Sequence, residues 1–238
     1  MTFAILGRCE RTGRLGMAIS SSSPAVASRC ANVRAGIGVA SSQNVTDPRL
    51  GPRLLAELEG GASADAAIQT IAAAAPHGAH RQLALVDAQG RSAAWSGARA
   101  LGRHGSRTGR DWAAAGNMLA SESVLEALGA AFVESAGESE LEARLIAALT
   151  AGLEAGGEEG PLRSAGLLVA DAVDWPVTDL RVDWADADGA GPIAELARLW
   201  DVWAPQRDDY VTRALDPASA PAYGVPGDPG SADSSDPL

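Results

Sequence analysis

Lysine is absent from this chain of 238 residues, and all 19 of its basic side chains are Arg. A guanidinium stays protonated and serves neither as amine nucleophile nor as base, so a Schiff-base lysine, a P-loop lysine and a Ser-Lys dyad are excluded at the outset. Cysteine is nearly absent: Cys9 and Cys30 are too few for a disulfide framework and lack zinc-site spacing, which fits a reducing compartment. The three histidines, His77, His80 and His104, form no metal-binding pattern, and no metal or other cofactor is expected. No Gly-x-Ser-x-Gly elbow occurs, and Gly156-Gly157-Glu158-Glu159-Gly160 would repel a phosphate. There is no run of about eighteen apolar residues to span a membrane. The N-terminus lacks a basic segment followed by an apolar one, so the expected address is the cytoplasm. A net charge of -11 disfavours nucleic acid as a partner, Arg99, Arg103, Arg107 and Arg110 being accounted for by a solvated loop. Proton transfer is left to His, a carboxylate or a terminal amine.

What is present is strand and helix patterning in a regular order. Phe3 to Leu6 and Leu15 to Ser20 predict a first hairpin around Thr12-Gly13, and Ala35 to Ala40 predicts a third strand running into Ser41-Ser42-Gln43-Asn44. Asp47-Pro48 is expected to open one helix and Ser63 to cap a second. Strands are expected at Arg81 to Asp87, Arg91 to Ser96 and Trp112 to Leu119, then helices from Glu122 and around Leu141 to Leu149. Ser164 to Ala170 and Thr178 to Trp184 supply the last strands, and Pro192 begins the last helix. Hairpin strands with helices arriving in pairs suit two antiparallel sheets packed face to face and covered by helices, a four-layer αββα sandwich of the α+β class. Residues 1–213 are expected to form this single domain, and the Pro-, Gly-, Asp- and Ser-rich residues 214–238 a disordered tail.

The first candidate for chemistry is Thr2. Initiator methionine is removed when the next side chain is small, and the freed residue then carries a hydroxyl nucleophile beside an α-amine that titrates near ~8 and can act as its base. A strand beginning at that atom would hold it rigidly. Arg81, where a loop enters a strand, is suited to clamping a carboxylate through two hydrogen bonds. Asn117 after Gly116 suits either an oxyanion donor or ordinary turn chemistry. Asp179, Arg181 and Asp183 share one strand face as an ion ladder or a site wall.

Several of these stretches together carry a resemblance. Thr2-Phe3-Ala4-Ile5, Thr12-Gly13-Arg14-Leu15-Gly16, Ala35 to Ala40 leading to Gln43, and Asp47-Pro48-Arg49-Leu50-Gly51 resemble the bacterial family called domain of unknown function 1028. So do Arg81-Gln82-Leu83 to Val86-Asp87, Gly116-Asn117-Met118-Leu119, Arg163-Ser164-Ala165 and Asp179 to Asp183, in the same order up to about Trp203. That family looks like part of the N-terminal nucleophile hydrolases, which have the αββα sandwich and cleave amide bonds. The resemblance implies Thr2 as nucleophile with its own amine as base, Asn117 as a second catalytic residue, and Gln43, Ser164 and Arg81 as substrate-binding candidates. Where many members carry a Lys after the second strand this chain has Ser22, so activation is expected to rest on Ser21, Ser22 or Asp87, and Ser21 and Ser22 are substrate-binding candidates as well. The expected function is a hydrolase acting on the C–N bond of a small amide, ureide or peptide-like substrate, with dimerisation a further expectation from the superfamily. The alternative is a non-catalytic binding or scaffold protein on the same fold.

Overall fold

The structure is a computed structural model and describes residues 1–137, 140–186, 189 and 191–225. The chain forms β1 (Thr2–Arg8), β2 (Leu15–Ser21), the short helix α1 (Val26–Cys30), β3 (Ala31–Arg34) and β4 (Gly38–Asn44), followed by the helices α2 (Leu50–Glu59) and α3 (Ala64–Ala74). Then come β5 (Arg81–Asp87), β6 (Ser92–Ser96), β7 (Gly105–Gly109), β8 (Trp112–Asn117), α4 (Ser123–Glu134), α5 (Leu141–Glu154), β9 (Ser164–Ala170), β10 (Pro176–Val182), α6 (Pro192–Trp203) and α7 (Arg207–Leu215). One sheet has the order β10-β9-β2-β1-β8-β7 and the other β3-β4-β5-β6. Every neighbouring pair is antiparallel.

Alternation along the strands explains the layering. Even residues of β1, Ala4 and Leu6, join Met17, Ile19, Ala113 and Ala115 on one side and Val39, Ala84 and Val86 on the other, making the core between the sheets. On the outer face of the second sheet, Ala40, Leu83 and Leu85 meet Leu54, Leu55, Ile68 and Ile71 of α2 and α3. The outer face of the first sheet is covered by α4 and α5. The result is the expected four-layer αββα sandwich. No helix among the described residues is long and apolar enough to cross a membrane.

Three local departures have physical causes. The edge strands β3 and β7 escape a reading by hydrophobic period, because Ala31–Arg34 is short and Gly105–Gly109 has no apolar face. Their place in the sheet comes from backbone pairing with β4 and β8, so β7 passes through the Arg-rich stretch expected to be a loop. Helix α2 starts at Leu50, later than Asp47-Pro48, because the Asp47 carboxylate accepts from the Arg49 backbone N–H at 3.1 Å and holds a turn there.

The chain divides into two compact units, Met1–Trp200 and Asp201–Leu238. In the second, α7 brings Tyr210 within 6.0 Å of the Tyr223 ring, with the Arg213 guanidinium 4.1 Å from the Tyr223 centroid. Of the expected 214–238 tail, residues 226–238 lie outside the described residues.

Tight interstrand packing makes one substitution diagnostic. A Cβ on Gly16, in the middle of the first sheet, would stand 2.6 Å from Val169 Cγ2 and 2.8 Å from the Leu168 carbonyl oxygen. Gly16→Ala is expected to lower stability by about 1–3 kcal/mol, read as a fall in urea midpoint at unchanged slope.

Candidate functional site

The strand register assembles the site from positions far apart in the chain. Thr2 pairs with Asn117, Phe3 with Ser20, and Ser21 with Ser164. Residues directly opposite in an antiparallel ladder project to the same face, so Asn117, Thr2, Ser21 and Ser164 lie abreast on four adjacent strands and face the second sheet. Ser41 and the paired Gln43 and Gln82 face them from β4 and β5. All seven are buried. One end of the inter-sheet space is therefore polar where the remainder is aliphatic.

Burial on this scale demands hydrogen-bond partners, and most are found. Gln82 Oε1 accepts from Gln43 Nε2 at 2.8 Å and from Asn117 Nδ2 at 3.1 Å. Its Nε2 donates to Ser96 Oγ, the Gly105 carbonyl and the Gly116 carbonyl at 2.9, 3.1 and 3.0 Å. Gln43 Oε1 accepts from Ser41 Oγ at 3.2 Å. Asn117 Oδ1 alone in this group has no partner, which leaves an acceptor beside Thr2.

Around the nucleophile candidate, Thr2 Oγ1 donates to the Met1 carbonyl at 2.6 Å and lies 3.3 Å from Ser21 Oγ. Ser21 Oγ also donates to the Met1 carbonyl. Both hydroxyl protons are thus directed at one carbonyl oxygen, and removal of Met1 would free both. Behind Ser21 stands a chain of donors: Arg29 Nη2 donates to Ser23 Oγ, and Ser23 Oγ lies 2.8 Å from Ser21 Oγ. Because the one hydroxyl proton of Ser21 goes to the Met1 carbonyl, Ser23 is the donor to Ser21 in this pair. Arg29 is a site residue that sequence reasoning missed. It is brought here by the turn and five-residue helix after β2, where Ala25 takes a left-handed φ of 50°.

Ser164 supports that turn: its Oγ donates to the Ser23 carbonyl at 2.7 Å and accepts from Val26 N–H at 3.2 Å. Arg81 stands apart from the cluster. As an odd residue of β5 it shares the helix-facing side with Leu83 and Leu85, and its guanidinium donates to the carbonyls of Val45 and Pro76. Asp87 is at the opposite end of β5, where it accepts from the backbones of Gln89 and Arg91 and pairs with the Arg91 guanidinium at 2.6 Å; it cannot activate Thr2. Asp179 and Arg181 form an exposed ion pair at 2.7 Å, as a ladder would.

Glu158 is a second residue not anticipated. After α5 the chain forms a bridge between Leu119 and Glu158, just past Asn117. The carboxylate is only 6% exposed, and neither oxygen makes a hydrogen bond of good geometry. Burial pushes its pKa up to about 7, opposed in part by the nearby N-terminal amine and by Ser22 alongside. Glu158 also lines a cavity of about 430 Å³ together with Gly160, Leu162 and Ile193. A cavity of about 480 Å³ lies at the other end of β1 among Arg8, Cys9, Asp111 and Arg144, away from Thr2.

A model of the family of unknown function DUF1028 matches residues 2–196. The chain is 32% identical to protein SPO2555 from Silicibacter pomeroyi, itself matched by the DUF1028 model, and the two structures align with a TM-score of 0.79 over 88% of this chain and 89% of that one. Thiobacillus denitrificans BPH aligns at 14% identity and a TM-score of 0.42, over 72% of this chain and 98% of that one. Anbu, an ancestral β-subunit from Yersinia bercovieri, aligns at 9% identity and 0.38, over 89% and 97%. No curated protein matches the chain in sequence.

The raised carboxyl has a pH signature. Between its ordinary value of 4.5 and about 7 the folded chain holds a proton on Glu158 that the unfolded chain has lost, so the neutral carboxyl's advantage disappears as pH rises through that window. Relative to Glu158→Gln, the native chain is expected to lose up to about 3 kcal/mol of unfolding free energy between about pH 4.5 and pH 7.5, measured by denaturant titration at each pH.

Proposed function

The chain belongs to the family of unknown function DUF1028, and from that membership and the site geometry we propose that it is an N-terminal nucleophile amidohydrolase working through Thr2. The observation that carries the reading is the placement of Thr2 Oγ1, at the head of a central strand, 2.6 Å from one carbonyl oxygen and 3.3 Å from Ser21 Oγ. Once the Met1–Thr2 bond is cleaved, the α-amine takes the proton of the Thr2 hydroxyl, and Oγ1 attacks the carbonyl carbon of a substrate amide. The C–N bond breaks, the proton passes to the departing amine, and the acyl group remains as an ester on Thr2 until water hydrolyses it.

Ser21 supplies the oxyanion donor in this scheme, since its hydroxyl already points at a carbonyl oxygen beside Thr2 and is polarised through Ser23 by Arg29. Asn117 Oδ1 supplies an acceptor that orients the amine. The substrate is a small amide, ureide or peptide-like compound, and the setting is cytoplasmic. The second reading, a non-catalytic binding protein on the same sandwich, draws on the observation that Thr2 is only 5% exposed beneath Met1.

Protein made without a tag, with its intact mass checked for loss of Met1, is expected to be acylated at Thr2 by a β-lactone. Thr2→Ala should abolish the adduct while leaving the urea midpoint unchanged; an equal adduct on the variant removes Thr2 from the mechanism. Ser21→Ala is expected to slow acylation by about 100-fold or more. Arg29→Gln, which keeps a donor and loses the charge, should slow it by about tenfold.

A further inference from the structure

Resting on that reading of Thr2, we infer that the space held by Met1 is the acyl-binding subsite of the same centre, and that it takes an α-aminoacyl amide whose free ammonium is received by Glu158. Met1 is held at its carbonyl and at its side chain. Its carbonyl oxygen accepts from both Thr2 Oγ1 and Ser21 Oγ, which marks a carbonyl-binding position beside the Thr2 hydroxyl. Its side chain lies against Gly160: a Cβ there would be 2.7 Å from Met1 Cε. Gly160 is outside the left-handed region, so glycine serves there by giving room.

Glu158 supplies the remaining recognition element. Glu158 is buried, and with Ser22 alongside but no hydrogen bond of good geometry to either oxygen its ionised carboxylate is costly to keep. It lines the cavity of about 430 Å³, whose other walls include Leu153, Pro161, Leu162 and Ile193. Asp186, also on this cavity, is exposed and accepts from the Trp184 indole N–H at 3.3 Å, so among the described residues Glu158 is its buried acidic group, complementary to a ligand with a cationic group and an apolar remainder. In the chain as it stands, the α-amine of Met1 is the nearby cation that favours ionised Glu158. Departure of Met1 removes that cation and opens the place beside Gly160. An incoming aminoacyl group restores both, with its ammonium toward Glu158, its carbonyl between Thr2 and Ser21, and its side chain beside Gly160. Acyl groups with a blocked or anionic α-position lose the favourable pairing.

The test uses tag-free protein lacking Met1 and four probes: the coumarinyl amides of methionine and of glycine, the methionine amide N-acetylated, and a β-lactone with no amine. The free-amine amide is expected to be cleaved with kcat/KM about 10- to 100-fold above its acetylated counterpart. Glu158→Gln should bring the two within about threefold of each other by slowing the free-amine substrate. Gly160→Val should lose the methionyl amide and keep the glycyl amide, a gain in selectivity that a misfolded variant cannot show. If the lactone labels Thr2 while the acetylated amide is cleaved as well as the free one, or neither amide is cleaved, the aminoacyl inference is overturned and the nucleophile stands. If the lactone fails to label Thr2 as well, both are overturned.

Discussion

The antiparallel register at the mouth of the two sheets is the constraint on which the rest depends. Thr2 opposite Asn117 and Ser21 opposite Ser164 fix a row of polar side chains across four strands, and Gln43 and Gln82 close it from the other sheet. A slip of one residue in any of these pairings would turn the row outward and put Phe3 or Ser20 in its place. The packing further along the same strands holds the register: Ala4, Leu6, Met17 and Ile19 meet Val39, Ala84 and Val86 between the sheets, while Phe3 fills the other face against Gly152 of α5. The site is thus a by-product of where the hydrophobic pattern stops. Once it stops, buried polar groups have to satisfy one another, and Gln82 does most of that by bonding to β4, β6, β7 and β8 at once.

Against this rigid background, positive charge reaches the proposed nucleophile, Thr2, indirectly. In a chain without lysine, a guanidinium cannot give up a proton, yet it can orient hydroxyls. Arg29 does so through Ser23 and Ser21, and Ser164 pins the turn that presents them. Negative charge reaches the same end from Glu158, on a segment that packs alongside the continuation of β8. The two groups divide the labour: one polarises the carbonyl position and the other faces the cavity.

Much of the sandwich was legible in the sequence, because long amphipathic helices and buried strands declare themselves by period. The position of Thr2 at the head of the first strand was legible as well, from the apolar run that follows it. The assembly around it was not. Positions 2, 21, 117 and 164 come together through pairing between distant strands, which no local pattern encodes. Arg81 and Gln82 show the limit in miniature: adjacent residues of one strand face opposite layers, and with Leu83, Ala84, Leu85 and Val86 apolar on both faces the sequence does not say which of the two looks at Thr2. Glu158 was hidden in the Gly- and Glu-rich stretch from Gly156 to Gly160, which the sequence shows only as a segment that would repel phosphate. Arg29 was hidden because a helix of five residues carries no periodicity.

The central claim is that Thr2 begins the working chain with its amine and hydroxyl facing the polar end of the inter-sheet space. The most direct measurement is a crystal structure of the protein purified without any tag. The account requires a chain starting at Thr2, its amine within hydrogen-bond distance of Asn117 Oδ1, and an open channel from Thr2 Oγ1 past Ser21 to the cavity at Glu158. A chain that retains Met1, with its carbonyl still bridging Thr2 Oγ1 and Ser21 Oγ, would contradict it.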